Sequence, residues 1–266
     1  MSLKWLKSAT TVLAFWLSAN AQASVSPGPV TLQANDGVSV SGLVYEARQP
    51  KGIILLFHQA GSSKAEYATI APRLAAAGFT ALAIDQRSGG TLYGPNETVS
   101  RLDKPATYED AKADLEAAFD WALPRHLPII LWGSSYSAAL VFEVGAEHMN
   151  QLSAILAFSP GEYLDTSGAV ARAAGRVQVP IYVTSSSDAD EIQAGREILS
   201  AAPARVKAQF VPKFGVHGSS TLIEARNPKG AAENWNHVLA FLSALPCVSA
   251  RGLDLDRRGG LIVPIQ

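Results

Sequence analysis

Residues 128–140, Pro128-Ile129-Ile130-Leu131-Trp132-Gly133-Ser134-Ser135-Tyr136-Ser137-Ala138-Ala139-Leu140, constrain this chain more than any other stretch. An apolar run too short for a helix meets a cluster of small residues, and helix-compatible residues follow at once. The pattern predicts a strand that runs through a tight turn into a helix. Ser135 lies at the apex, flanked two residues away by Gly133 and Ser137. Such a turn brings the flanking backbone so close to its neighbours that only small side chains fit. Ser134 cannot take the apex, because its flanking positions would be Trp132 and Tyr136. The turn lifts the Ser135 hydroxyl above the sheet and aims the first free N–H groups of the helix at whatever lies over it. The commoner form of this pattern carries glycine where Ser137 stands.

The rest of the chain supplies the context. Residues 30–34 and 38–46 are strand-like, with Asn35-Asp36-Gly37 between them as a hairpin turn signal. Residues 52–57 and 79–84 are continuously apolar, as strands buried on both faces are. Between them, Ser63 with Glu66 makes a capping-box pattern that opens a helical stretch ending at Gly78, with Pro72 inside it. A helical face recurs over 107–122, and further strands are expected at 128–132, 153–158, 180–184 and 206–211. Helices are expected after Ser135, at 191–201 and at 231–245. Strands alternating with helices from residue 52 predict an α/β fold: a mostly parallel, doubly wound sheet with an antiparallel N-terminal hairpin and a minimal cap at 161–179. No linker-like segment divides residues 24–246, which read as one domain. Residues 247–266 lack periodicity and are expected to form a mobile tail.

The first residues carry a separate message. Lys4 and Lys7 precede a mostly apolar stretch over residues 9–19, and Ala21-Gln22-Ala23 offers a cleavage site before Ser24. This predicts a signal peptide over residues 1–23 and a periplasmic or secreted product. The apolar stretch is shorter than the roughly 20 residues that a span needs, so no membrane segment is expected to remain after cleavage. The single cysteine, Cys247, cannot form an intrachain disulfide. A net charge of -1 gives no electrostatic case for nucleic acid or anionic lipid.

In such a sheet, ligands gather beyond the carboxyl ends of the strands. His58-Gln59-Ala60-Gly61 follow the strand at 52–57, Asp85 and Arg87 the strand at 79–84, and Ser135 the strand at 128–132. Asp188, Asp190 and Glu191 follow the strand at 180–184, and His217 follows the last one. A nucleophile, an acid and an imidazole thus emerge in the order Ser, acid, His, which is the order of the α/β-hydrolases. The chain resembles that superfamily over roughly residues 30–245, nearest to dienelactone hydrolases and small carboxylesterases. The elbow at Ser135, the His58–Gly61 turn and Gly215-Val216-His217-Gly218 carry the likeness. Ser137 and Gln59 depart from the usual glycines.

The resemblance implies a serine nucleophile at Ser135 with His217 as its base, and an oxyanion hole built from the N–H of Tyr136 with that of Ala60 or Gln59. Spacing cannot separate the three acids. Asp188 with Glu191 also makes a helix-capping pair, which would leave Asp190 to act. Alignment with the family falls between Asp188 and Asp190, and Asp188 is the preferred choice. His58 either lines the pocket or supports the turn. Arg87 matches an arginine that family members carry after this strand, as a structural anchor or a substrate ligand, and Glu162 is placed at the pocket wall. The other histidines, His126, His148 and His237, read as surface or capping residues. Asn96-Glu97-Thr98 matches a glycosylation triplet. No metal-ligand spacing and no phosphate-binding glycine loop occurs, so neither metal nor cofactor is expected. The expected activity is hydrolysis of a small soluble ester or lactone. A catalytically silent binding protein, a peptidase and a thioesterase are the alternatives.

Overall fold

The structure is a computed structural model, and residues 26–245 are described. The predicted signal peptide, Cys247 and the C-terminal tail lie outside the described residues. The chain opens with β1 (Gly28–Gln33) and β2 (Ser39–Tyr45), an antiparallel pair joined through Gly37 at φ +87°. Then come β3 (Gly52–Phe57), α1 (Ile70–Ala76), β4 (Phe79–Ile84), α2 (Lys112–Ala122), β5 (Ile129–Ser134), α3 (Tyr136–Glu147) and β6 (Leu152–Phe158). A short α4 (Ala169–Ala174), β7 (Ile181–Thr184), α5 (Ala189–Ala201), β8 (Lys207–Phe210) and α6 (Ala231–Ala244) complete the described fold.

The eight strands form one sheet in the order β1-β2-β4-β3-β5-β6-β7-β8. The β1–β2 and β2–β4 pairs are antiparallel and all others parallel. Every side chain of β3 and β4 is buried, because helices cover both faces. Ile53, Leu55 and Phe57 pack under α2, α3, α4 and α5, while Ile54 and Leu56 pack with Leu74 of α1 and Trp235 of α6. Pro72 is tolerated because α1 starts late. It occupies the third helical position, where the missing N–H has no intrahelical partner to lose. Among the described residues no helix is long and apolar enough to cross a membrane.

Register decides where the chemistry sits. Phe57 pairs with Ile84 and Gly133, Ser134 with Phe158, Phe158 with Thr184, and Thr184 with Phe210. Six parallel strands therefore end level, and the loops that follow them share one rim of the sheet.

Candidate active site

Ser135 occupies the apex of the β5–α3 turn with φ 61° and ψ −124°, a conformation that non-glycine residues adopt only at a cost. Its N–H donates to the Phe158 carbonyl at 2.8 Å, which ties the strained residue to the neighbouring strand. A Cβ on Gly133 would collide with the Ser137 carbonyl, so the glycine before the apex is obligatory. The Ser135 side chain makes no capping bond to α3. Its hydroxyl instead meets His217 Nε2 at 2.8 Å.

The other imidazole nitrogen settles which acid faces it. His217 Nδ1 lies 2.9 Å from Glu191 Oε1, and Glu191 Oε2 accepts the Ser186 N–H at 3.0 Å. The preferred Asp188 does not take this place. Its carboxylate caps α5, accepting the N–H groups of Asp190 (2.9 Å) and Glu191 (3.3 Å). Asp190 is exposed and contributes only its N–H to that cap. The capping-box pattern is thus half used. Asp188 caps, while Glu191, three residues on and one methylene longer, rises from the first turn of α5 to the imidazole.

Burial pushes the Glu191 carboxyl up, but hydrogen bonds from His217, Ser159 and the Ser186 N–H outweigh it and hold the group at about 2. The same bond from Glu191 raises His217 above its ordinary value, against the effect of its burial. With Nδ1 bonded to an anion, the proton sits on Nδ1 and Nε2 is left to accept from Ser135.

Facing Ser135 is the turn after β3. Gln59 does not serve as an oxyanion donor, because its N–H donates to Glu66 Oε2 at 2.9 Å. The N–H of Ala60 makes no hydrogen bond among the described residues, and that of Tyr136 is the first in α3. His58 is fully buried. Its Nδ1 lies 2.8 Å from the Gln59 carbonyl, while Nε2 accepts the Gln86 N–H at 2.9 Å. Burial lowers it to about 4, so it stays neutral. Since C=O and N–H point oppositely across a trans peptide, a clamp on the Gln59 carbonyl aims the Ala60 N–H outward. Ser137 adds a second clamp: its hydroxyl donates to the His58 carbonyl at 2.6 Å and accepts from Gln86 Nε2 at 2.7 Å.

This geometry sits on a sheet whose relatives are known. The sequence profile of the serine aminopeptidase S33 family matches residues 48–206, more than half of the chain. The chain is an α/β-hydrolase of the S33 family. The solved dienelactone hydrolase of Anabaena variabilis superposes with a TM-score of 0.66 at 17% identity, covering 84% of this chain and 99% of that one. An esterase of Pyrococcus furiosus gives 0.61 at 18% identity over 84% and 91%. A carboxyl esterase of Bacillus coagulans gives 0.63 at 13% identity over 83% and 99%. At these identities the likeness is one of fold. No curated protein matches in sequence.

The remaining expected site residues of this hydrolase are structural. Arg87 is buried with Nη2 2.7 Å from Asp114 Oδ1 and Nη1 on Asp36, so its guanidinium anchors α2 and the β1–β2 turn instead of binding substrate. Glu162 accepts the N–H groups of Val170 (3.1 Å) and Ala171 (2.8 Å), which holds it at the start of α4. Asn96 is buried, its amide donating to the Gln86 carbonyl at 2.9 Å, so the Asn96-Glu97-Thr98 triplet offers no accessible glycosylation site in the folded chain. His126 takes a left-handed conformation at the end of a 3₁₀ turn, His148 contacts Glu116 at 2.6 Å, and His237 stacks on Phe210. Sequence reasoning left Glu191 open among three acids without preferring it, and it missed the burial of Glu66. Glu66 was visible only as the fourth member of the Ser63–Glu66 capping box.

Proposed function

We propose that this chain is an exported serine hydrolase that cleaves small, soluble carboxylic esters or lactones through an acyl-enzyme on Ser135. One observation carries the reading: Ser135, His217 and Glu191 form a continuous hydrogen-bonded chain at 2.8 and 2.9 Å beside the N–H of Ala60, without a partner among the described residues, and the first N–H of α3 at Tyr136. A serine hydroxyl is a poor nucleophile until an imidazole takes its proton. His217 Nε2 receives it as Ser135 Oγ attacks the carbonyl carbon, and Glu191 steadies the imidazolium through Nδ1–H. The carbonyl oxygen, now an anion, is met by the N–H groups of Ala60 and Tyr136. His217 then returns the proton to the departing alkoxide. A water, deprotonated by the same imidazole, releases the acid and regenerates Ser135.

The small substrate is supported by the modest 159–180 connection, whose only regular element is the six-residue α4. Esterase neighbours point the same way. An aminopeptidase needs an anion for the substrate's ammonium group, and Glu66, Glu162 and Glu191 are each held by other partners. Export rests on the leader-like residues 1–23, and a mature N-terminus at Ser24 on the exported protein would support it. The central test is a fluorophosphonate probe with p-nitrophenyl acetate turnover. Labelling and turnover that vanish in Ser135→Ala are expected; folded wild-type protein that neither labels nor turns over would leave the fold as a binding scaffold.

A further inference from the structure

Behind the elbow lies a carboxyl that the proposed reaction does not use. Glu66 is 1% exposed, and both its oxygens are engaged. Oε2 accepts the Gln59 N–H at 2.9 Å, and Oε1 accepts the Ser134 hydroxyl at 2.8 Å. Ser134 Oγ in turn accepts the Ser219 N–H at 2.9 Å, and Ser219 Oγ accepts Trp132 Nε1 at 2.9 Å. Ser134 and Ser219 are both fully buried. A Cβ on Gly218 would collide with Ser134 Oγ, so the histidine loop is pressed directly onto this bridge.

The cation nearest in sequence gives no compensation, because Lys64 Nζ is paired with Asp85 at 2.6 Å. Helix capping does not explain the residue either. Ser63 Oγ accepts from Ala65 N at 3.3 Å, but the Glu66 side chain turns away from the cap and into the fold. Burial raises its carboxyl to about 7 despite those hydrogen bonds. An unpaired buried carboxyl is a cost that stability alone does not call for.

What it touches is informative. The three segments it joins are those that present the oxyanion donor, the nucleophile and the base. Through Gln59 N–H it fixes the peptide whose carbonyl end Ser137 holds, and so the plane that precedes the Ala60 N–H. Through Ser134 it reaches the residue before the nucleophile, and through Ser134 to Ser219 the loop two residues beyond His217. We propose that Glu66 is a positioning residue for acyl transfer: its carboxyl sets the oxyanion turn, the serine elbow and the histidine loop in register. Ser134, the discarded rival for the apex, is the hydroxyl through which it reaches the third segment. This proposal rests on the acyl-transfer reading above.

The test uses the full chain with Glu66→Gln and Ser134→Ala, each normalised to active sites titrated with a fluorophosphonate. Loss of kcat of about tenfold or more with KM within threefold is expected for both, since the pocket is intact while the reacting groups are misaligned. A merely structural role would lower the titratable fraction and leave kcat per site unchanged, which overturns the proposal. If Glu66→Gln does not fold, Ser134→Ala carries the same expectation. Amide hydrogen exchange separates this inference from the reading on which it rests. Faster exchange at the Gln59 and Ser219 amides of Glu66→Gln is expected whether or not the wild type turns over ester, and unchanged exchange there refutes the positioning role. A wild type that is inert while those amides still respond refutes acyl transfer instead.

Discussion

Replacing Glu191 by glutamine tests the reading of the site most directly, because the acid is where sequence expectation and geometry part. Glu191 is held at about 2 against an ordinary 4.5, and at about 1.4 kcal/mol per pKa unit its surroundings favour the anion by about 3 kcal/mol. The His217 side chain is 40% exposed, so solvent screens the pair, and halving leaves about 1.5 kcal/mol for the resting hydrogen-bonded pair. The larger loss comes as the imidazolium forms. An amide can offer its NH₂ to Nδ1 and turn the imidazole into the wrong tautomer, a change that costs up to about 10⁴-fold in serine triads. A fall in kcat/KM of about 10³-fold, or ~4 kcal/mol, is therefore expected with p-nitrophenyl acetate. The pH profile supplies a second check. His217 must be neutral to act as base, and Glu191 raises it, so the acid limb of kcat/KM in the wild type lies above the ordinary 6.5 and moves down in the variant. Asp188→Asn is the control: asparagine still caps α5, and activity should stay within about threefold. Glu191→Gln retaining activity within tenfold of wild type, or Asp188→Asn losing as much, would refute the assignment of the acid.

Ser137→Gly restores the commoner elbow motif yet should harm this protein. It strips the His58 carbonyl of its donor and Gln86 of an acceptor in a buried site, a loss of about 1–3 kcal/mol that a thermal melt reads as a fall of several degrees, with kcat falling too. An unchanged Tm and kcat would show that the residue is tolerated only for its size. Arg87→Ala should strand the fully buried Asp114 at a cost of about 3–5 kcal/mol, while KM of the folded fraction stays unchanged; a raised KM at full stability would return Arg87 to the substrate. Glu66, raised from 4.5 to about 7, should contribute stability that is complete below pH 4.5 and lost as pH rises through 7. Glu66→Gln should accordingly gain on the wild type by about 3 kcal/mol between those limits, and parallel denaturation curves at pH 5 and 8 would refute that account.

The fold was legible because its signals are local. Runs such as Gly52–Phe57 and Phe79–Ile84 have one stable use, a strand covered on both faces, and their spacing implies helical crossovers. The elbow was legible for the same reason, since steric exclusion at Gly133 acts within five residues. The acid was not, because three carboxylates within four residues differ only in which way the chain turns after Thr184. A cap needs a short side chain in extended backbone, and Asp188 has it at ψ 136°. Only the length of Glu191 then spans from the first turn of α5 to His217.

The residues offered as substrate ligands whose side chains the structure gives to other partners share a cause. His58, Arg87 and Glu162 all follow strand ends at the correct rim, where a polar side chain has two destinations, the pocket or the backbone groups that the turns leave unpaired. Turns that expose N–H groups toward substrate expose carbonyls and other N–H groups behind them, and those must be met inside the protein. His58 meets the Gln59 carbonyl, Glu162 the first N–H groups of α4, and Glu66 the Gln59 N–H. Of the polar residues beyond a strand end, those nearest the apex in sequence are thus consumed in holding the turn. The groups that the proposed reaction uses are either at the apex itself, as Ser135 is, or delivered from a more distant loop or helix, as His217 and Glu191 are.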